Sequence, residues 1–398
     1  MRLEAWLEGQ HVGQFVFDEP VRFCYDPDAP ATPVSLSLPR DAPAARHAAA
    51  AFLENLLPDH ERARAHLASA YGARSTRPAD LLAAAGGDIA GGLVLVPEGE
   101  AAPAGPAVLN PALERDVADR INAIKIDPDA WAPRGVSARF SLAGTQGKFA
   151  LARIDDDWYW SNATVPSTHI VKPAHPDLRG LEAAEAAALT LAARVGVPAA
   201  AASVLHAGDQ TAFLVGRFDR DPTPGPLARR LHAEDFAQAL GVRPEAKYQV
   251  SARQAAALLA TVDTDGSLVR AFFAQLVFNT VIANADAHAK NYSVLLRPGR
   301  IRMAPLYDAV PIALYPQFDQ ALAMRVAGAR HPRTASLHHW RRLARTIALD
   351  EDEATTIVTT VAARISDLND TAWTTLDDDQ ATLLRHTITQ NTEAIARP

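Results

Sequence analysis

A single cysteine, Cys24, stands in a chain of 398 residues, so no internal disulfide can brace it. That scarcity fits a reducing compartment. The opening MRLEAWLEGQ lacks the apolar stretch of a signal peptide. The longest apolar runs are alanine-rich, such as Ala255–Ala260, far short of the ~20 residues that span a bilayer. These absences together predict a cytoplasmic protein with no membrane partner. A basic excess is missing too. The formal net charge is −7, which argues against a large nucleic-acid surface on this chain. Lysine is scarce beside arginine while alanine and proline are abundant, which reads as genomic GC bias.

What is present is the balance of a globular protein. The chain is 48% hydrophobic and 21% charged, too apolar for a disordered polymer and long enough to bury a core without metals. Its length predicts two or three structural units at roughly 100–200 residues each.

Local patterning divides the chain into three. Leu3–Leu7 and Val12–Phe17 alternate around Glu8-Gly9-Gln10, the signature of a β-hairpin. Ala44–Leu57 reads as a helix stopped near Pro58, and Pro78–Ala85 as a short helix ending at Gly86-Gly87. Leu93–Val96 is a short apolar strand, and the Pro/Ala/Gly-rich stretch Glu98–Pro111 a linker. Next come strands at Phe149–Ile154, Trp158–Trp160 and His169–Lys172, and a helix at Glu182–Val195. A strand pair, Val204–Ala207 and Thr211–Phe218, follows, so this block is a small mixed sheet with one helix. From Ala233 the pattern turns helical, most clearly at Ala233–Leu240, Ala252–Ala260, Gly266–Ala283, Asp350–Asn369 and Asp379–Ala394. The expectation is an α+β chain with a small β-rich N-terminal part and a large mainly helical C-terminal lobe. Its domains are an N-terminal α+β subdomain at 1–110, a β-rich lobe at 111–230 and a helical lobe at 231–398.

Five features fall in a telling order: Ser141-Leu-Ala-Gly-Thr-Gln-Gly-Lys148, Thr168-His-Ile-Val-Lys172, Arg217-Phe-Asp-Arg220, Asn284-Ala-Asp-Ala-His-Ala-Lys-Asn291 and Pro305-Leu-Tyr-Asp308. Asn291 follows Asp286 by five positions, and Asp308 lies 17 beyond Asn291 after a strand-like Tyr292–Leu296. Phosphoryl transfer needs positioning and charge neutralisation more than covalent help. A glycine loop can cover phosphates with backbone N–H groups, and a strand lysine can pair with their oxygens. An aspartate can orient a hydroxyl, while an asparagine and a distant aspartate offer the hard oxygens that Mg²⁺ prefers. The Asp-x-x-x-x-Asn spacing is that of protein-kinase catalytic loops.

Taken singly, each piece has a plainer reading. Gly144 and Gly147 suit an ordinary turn, and the loop is neither a Walker A nor a GxGxxG match. Lys172 suits a solvated strand end, His288 a hydrogen-bonded histidine, Asp308 the start of a turn. The ordered set carries the argument, with Asn284, Asp286, His288 and Asn291 crowded directly after the apolar helix Phe272–Ile282.

The segments SLAGTQGKFAL, THIVKP, RFDR, NADAHAKNYSVLL and PLYDAV, with FLENLLPDHERAR and GGDIAGGLVLVP upstream, resemble the HipA family over residues 1 to about 325. HipA proteins are serine/threonine kinase toxins of bacterial toxin–antitoxin pairs. The resemblance implies an α+β, protein-kinase-like two-lobed architecture, with ATP and Mg²⁺ as cofactors. It implies that Ala143, Gly144, Thr145, Gln146, Gly147 and Lys148 form the phosphate loop and that Lys172 meets ATP phosphates. Gly216, Arg217 and Phe218 would be the hinge that meets adenine through the backbone. Asp286 would be the catalytic base, with Lys290 neutralising charge and His288, Ala289 and Asn291 near the phosphates. Asn291 and Asp308 would ligate Mg²⁺, and Ser141 falls on the family's autophosphorylated serine. The charge of a phosphate there would repel the nucleotide, or else pair with Arg139 or Lys148 and hold the loop away. A small HipB-like helix-turn-helix antitoxin would supply most DNA affinity, and an aminoacyl-tRNA synthetase would be the phosphorylated target. Two departures stand out: some relatives carry Glu where Gly216 and Gly147 stand, which predicts a lost adenine contact and a looser loop. The rivals are a small-molecule kinase built on the same Asp…Asn…Asp set, a catalytically weak corepressor, and a metal-dependent phosphohydrolase. The last is disfavoured because only one histidine stands in the cluster.

Overall fold

The computed structural model describes residues 1–103, 105–133, 140–222, 227–297 and 299–397. The chain divides into two compact units, each assembled from separate stretches of sequence. The first comprises Met1–Ala174, Leu205–Glu245 and Val294–Ile301; the second comprises His175–Val204, Ala246–Ser293 and Arg302–Pro398.

The first unit is built on two sheets. Arg2–Leu7 and Gln10–Val16 form the expected hairpin through Glu8-Gly9. Leu3, Ala5 and Leu7 face the core, as strand alternation requires. Arg22–Tyr25 and Leu93–Pro97 complete a four-stranded antiparallel sheet. The helix Ala48–Glu54 packs on it, with Phe15 and Phe52 stacked at 5.9 Å. This helix is shorter than Ala44–Leu57. Its end tightens into three-residue turns at Leu56 and Leu57, and Pro58 then offers no N–H to continue. Helices Glu61–Tyr71 and Glu114–Ile126 add to the expected elements.

The second sheet has five strands in the order Asp157–Trp160, Phe149–Ile154, His169–Pro173, Gln210–Gly216, Ala202–Ala207. Phe149–Ile154 pairs antiparallel with both of its neighbours, and His169–Pro173 pairs antiparallel with Gln210–Gly216. That replaces the mixed sheet of the sequence reading. The stretch 98–111 contains no helix or strand among its described residues. Its end is stitched to the sheet by Ala112 N–H to Trp158 O and Trp160 N–H to Asn110 O, each 2.8 Å.

Ala233–Leu240 differs from the helix expected there. Ala233–Asp235 is a strand, and Asp235 caps a short helix, Phe236–Ala239, by accepting from the Gln238 N–H. An aspartate favours the cap over a helix interior, so the helix starts after it.

The second unit is helical. Glu351–Ala372 packs against Leu181–Arg194, Ser267–Val281, Leu337–Thr346 and Asp378–Ala396. Asp350 and Asp377 cap the two long C-terminal helices with their carboxylates. Phe273 meets the buried Trp340 edge-on at 5.4 Å. No described helix is long and apolar enough to cross a membrane.

Candidate active site

In the second unit the helix Ser267–Val281 ends in a Schellman turn. The Asn284 N–H reaches back to Asn279 O at 2.8 Å, and Ala283 N–H to Thr280 O at 3.1 Å. Ala283 occupies the left-handed region at φ 59, a place glycine ordinarily fills. Side chains then clamp the loop. Asn284 Nδ2 donates to Asn279 Oδ1 (3.0 Å) and to Asp308 O (3.3 Å), while Asn279 Nδ2 donates to the Tyr292 hydroxyl (3.1 Å). A buried helix thereby fixes the loop that carries the candidate chemistry.

Asp286 is exposed, whereas its neighbours from 281 to 291 are buried. Its Oδ1 accepts from the Tyr248 hydroxyl at 2.8 Å. Its pKa is raised by the protein packed around it and by the charge of Asp308. The Tyr248 hydrogen bond and Lys247 oppose that rise. The His288 ring meets Tyr248 edge-on at 4.9 Å. Burial, with the charges of Lys247 and Lys290, pushes the His288 pKa down to about 4, so the ring is neutral at neutral pH. Its Nδ1 is buried without a partner.

Ala289–Asn291 is a single 3₁₀ turn. The His288 N–H donates to Asn291 Oδ1 (3.1 Å), and Asn291 Nδ2 donates to Asp308 Oδ2 (2.5 Å). Tyr307 supports the turn by donating to Lys290 O at 2.8 Å and meeting the Ser293 hydroxyl at 2.6 Å. Asp308 sits at φ 55, a conformation aspartate tolerates better than most residues. The donors suit Mg²⁺. One carboxylate and one amide oxygen are the few protein ligands that ion uses when phosphates and water fill the rest of its shell. Accordingly, no group of three or more His, Cys, Asp or Glu forms a metal cage among the described residues.

The first unit holds the remaining predicted residues. Ser141 is buried; its hydroxyl donates to Leu56 O (2.8 Å) and its N–H to Asp88 O (3.0 Å). Lys148 Nζ donates to Ala143 O (2.8 Å) and lies 5.2 Å from the centre of the Trp131 ring. The Gly144 carbonyl accepts from the Asp59 N–H at 3.0 Å, Thr145 is exposed and Gln146 half-buried. A Cβ on Gly147 would come within 2.5 Å of Ile124 and 2.6 Å of Pro128 O. Here glycine seats the loop against Glu114–Ile126, which corrects the expectation that it loosens it. Lys172 Nζ lies 5.2 Å from the ring of its cross-strand partner Phe213. Arg139 lies outside the described residues.

Gly216 ends its strand opposite His169, and Phe218 is half-buried. Arg217 is committed elsewhere. Its N–H donates to Thr168 O (2.8 Å), and its guanidinium to Asp219, Ser167 Oγ and Ile89 O. Of the backbone groups at 216–218 that the resemblance assigns to adenine, the Arg217 N–H is therefore taken by the sheet. Arg220 joins the same cluster through Asp88 (2.9 Å) and Asp219 (3.1 Å).

The sequence reading therefore resolves into two groups, one in each unit: the loop, Lys172 and residues 216–218, and then Asp286, His288, Ala289, Lys290, Asn291 and Asp308. It missed Tyr248, Asn279 and Tyr307. One signal was available for the first. The chain has five lysines, Lys125, Lys148, Lys172, Lys247 and Lys290. Three of these fall in the predicted motifs, and the fourth precedes Tyr248.

A helical unit that clamps an aspartate, an asparagine five residues on and a second aspartate defines the class as a protein-kinase-like phosphotransferase. Comparison with known proteins agrees. The family model of the HipA-like C-terminal domain matches residues 140–368, and that of the HipA N-terminal domain residues 3–96. The putative kinase Y4mE of Sinorhizobium fredii is 34% identical over 81% of this chain and 80% of its own length. The serine/threonine-protein kinase toxin HipA of Shewanella oneidensis is 28% identical over 98% of this chain and 94% of its own. A solved complex of Shewanella oneidensis HipA, HipB and operator DNA matches with a TM-score of 0.82 at 27% identity, covering 98% of this chain and 96% of the matched one. The chain belongs to the HipA family, and the likeness runs past residue 325 into the C-terminal helices.

Proposed function

We propose that this chain is an ATP- and Mg²⁺-dependent serine/threonine protein kinase and the toxin of a toxin–antitoxin pair. The observation that carries the reading is the Asp286 loop, with an exposed carboxylate on a rigid buried frame and Asn291 bonded to Asp308. Asp286 orients the substrate hydroxyl and takes its proton as the new O–P bond forms and the bond from the γ-phosphorus to the ADP oxygen breaks. Lys290, in the Asp286 loop, neutralises charge on the transferring group, and the family resemblance implies that Lys172 meets nucleotide phosphates. Neutral His288 adds no charge of its own. Asn291 and Asp308 would hold Mg²⁺, which supplies further charge neutralisation on the phosphates. The backbone of residues 216–218 is proposed to meet adenine, with the Arg217 N–H already donated to Thr168 O.

The HipB of the Shewanella complex supports a helix-turn-helix antitoxin as partner, with DNA reached mainly through it. An aminoacyl-tRNA synthetase as target, with growth arrest as outcome, rests on the family resemblance alone. Titration of Mg-ATP into the purified protein raises its melting temperature by mass action. No shift at millimolar nucleotide would sink the kinase reading.

Ser141 is proposed as a site of inhibitory self-phosphorylation. A phosphate of roughly −1.5 to −2 charges has no place against the Leu56 carbonyl, so the modified segment must leave its seat and the phosphate loop leaves with it. Incubation with Mg-ATP followed by mass spectrometry places a phosphate on Ser141, and the modified protein binds ATP more weakly. Unchanged ATP affinity after modification would remove the inhibitory role.

A further inference from the structure

From Gln320 to Leu349 the chain has no aspartate or glutamate, yet it holds Arg325, Arg330, Arg333, Arg341, Arg342 and Arg345. In a protein of net charge −7 this is a marked segregation of charge. Arg345 is paired with Glu351 at 2.7 Å, and Arg341 bonds the Thr355 hydroxyl at 3.0 Å. Arg325, Arg330 and Arg333 are exposed, and none has a side-chain hydrogen bond or ion pair among the described residues. Exposed arginines elsewhere in the chain include paired ones, such as Arg2 with Glu98 and Arg22 with Asp18, and ones unpartnered among the described residues, such as Arg243 and Arg253. A solvated arginine face is the plainer reading; what sets this one apart is the lack of any carboxylate from Gln320 to Leu349 and its tie to the loop that carries Asp286.

The three arginines sit on a built feature. Leu322, Met324 and Val326 are buried, while Arg325 between the last two is exposed. The chain reverses through Ala327 (φ 45) and Gly328 (φ 97), both left-handed as a tight two-residue turn requires, and Val326 and Ala329 bond each other across it. Leu322 N–H to Arg330 O at 2.7 Å draws the two flanks of this small hairpin together. The flank before the turn is tied to the catalytic loop, since Ala323 N–H donates to Ala285 O at 2.8 Å. Ala285 is the residue before Asp286, and Arg325 follows Ala323 by two residues. Arg333 continues the basic surface in the 3₁₀ turn Pro332–Thr334.

We propose that this arginine hairpin is a docking surface for the acidic flank of the protein segment that presents its serine or threonine to Asp286. The inference rests on the kinase reading and adds substrate selection to it. Guanidinium forks match carboxylates bidentately. A nucleic acid would need a broader field of phosphate contacts than three arginines offer on an acidic chain. Because the pairs are exposed, they act on encounter and on KM, and salt weakens them.

The test uses the purified full chain, Mg-ATP and serine-centred synthetic peptides flanked by Asp/Glu, by Gln or by Lys. The acidic peptide is expected to have the lowest KM, with the advantage shrinking at high salt. Arg325→Glu and Arg330→Glu each raise that KM about three- to tenfold, with kcat and the KM for ATP unchanged. The milder Arg325→Gln shifts it in the same direction, which covers a charge reversal that folds poorly. Fluorescence anisotropy of a labelled acidic peptide reads the same surface without turnover. No phosphotransfer from the wild type to itself or to any peptide would fail the kinase reading, while the anisotropy would still judge the surface. Turnover with no acidic preference, or a preference untouched in all three variants, overturns the docking inference. So does a DNA or RNA duplex that binds more tightly than every peptide and loses that binding in the same variants.

Discussion

The motifs RFDR and NADAHAKN look alike in sequence, both dense in charge and hydrogen-bonding groups, yet the structure treats them in opposite ways. Around Arg217, Asp219 and Arg220, buried charges pair with one another and with Asp88. Burial works against ionisation of Asp219, and the guanidiniums of Arg217 and Arg220 outweigh it, holding that carboxyl far below the usual carboxylate range. Asp88 is held low by the same balance of burial against Arg220, Arg217 and Arg230. In the Asp286 loop the groups around the carboxylate fix its position while leaving it exposed and its pKa raised. The first cluster spends its polarity on itself and braces the fold. The second keeps a carboxylate available for chemistry. A dense polar motif thus says little until its partners are known.

Breaking each side of this contrast should give opposite signatures. Asp286→Asn is expected to lower phosphotransfer by about 10²- to 10⁴-fold, with ATP binding and melting temperature close to wild type. Steady-state kinetics beside nucleotide titration checks this, and retained turnover would remove Asp286 from the site. Asp88→Ala leaves Asp219 as the one buried carboxylate facing both Arg217 and Arg220 and should cost ~3–5 kcal/mol of stability, read by denaturant unfolding. A loss confined to activity would show that the cluster is not structural.

Smaller effects sharpen the comparison. Tyr248→Phe removes the hydroxyl that donates to Asp286 Oδ1 and should lower kcat about tenfold with the KM for ATP unchanged, in keeping with a hydrogen bond to a charged group. An unchanged kcat would leave Tyr248 as surface packing.

A pH effect concerns Glu234 in the first unit. Burial raises its pKa from 4.5 to about 8, although Ser35 Oγ (2.5 Å) and the Leu36 N–H (2.8 Å) both donate to it. A carboxyl raised in the folded state gives its full stability below its unfolded value and loses it as pH climbs through the folded one. Unfolding free energy should therefore decline between pH 4.5 and about 8 more steeply in the wild type than in Glu234→Gln. Equal slopes would place an ionised Glu234 in the fold.

Much of this was legible in the chain. The N-terminal hairpin, the strands at 149–173 and the long helices follow from period-2 and period-3.6 patterning. The Asp286–Asn291 spacing was visible because it lies within one loop. The helix Leu337–Thr346 was not, since a run of arginine and histidine hides the few apolar anchors Trp340, Leu343 and Ala344. Helix Glu114–Ile126 does carry its own period in Val117, Ile121 and Ile124. Arg217 was assigned to the nucleotide hinge by the family resemblance, and its partners Ser167 and Ile89 were not legible because they lie far away in sequence.

The sequence by itself determined the residue types and their order: the glycine loop, the strand lysine, and Asp, Asn, Asp on a helical frame. Spacing within a turn or a helix is set by covalent geometry and can be counted. Only the tertiary structure decided that Tyr248 meets Asp286 from 38 positions away, that Arg217 braces the interior, and that the hairpin at 322–330 is tied to Ala285. Those contacts join segments whose separation along the chain carries no geometric information, and packing of the surrounding core selects them.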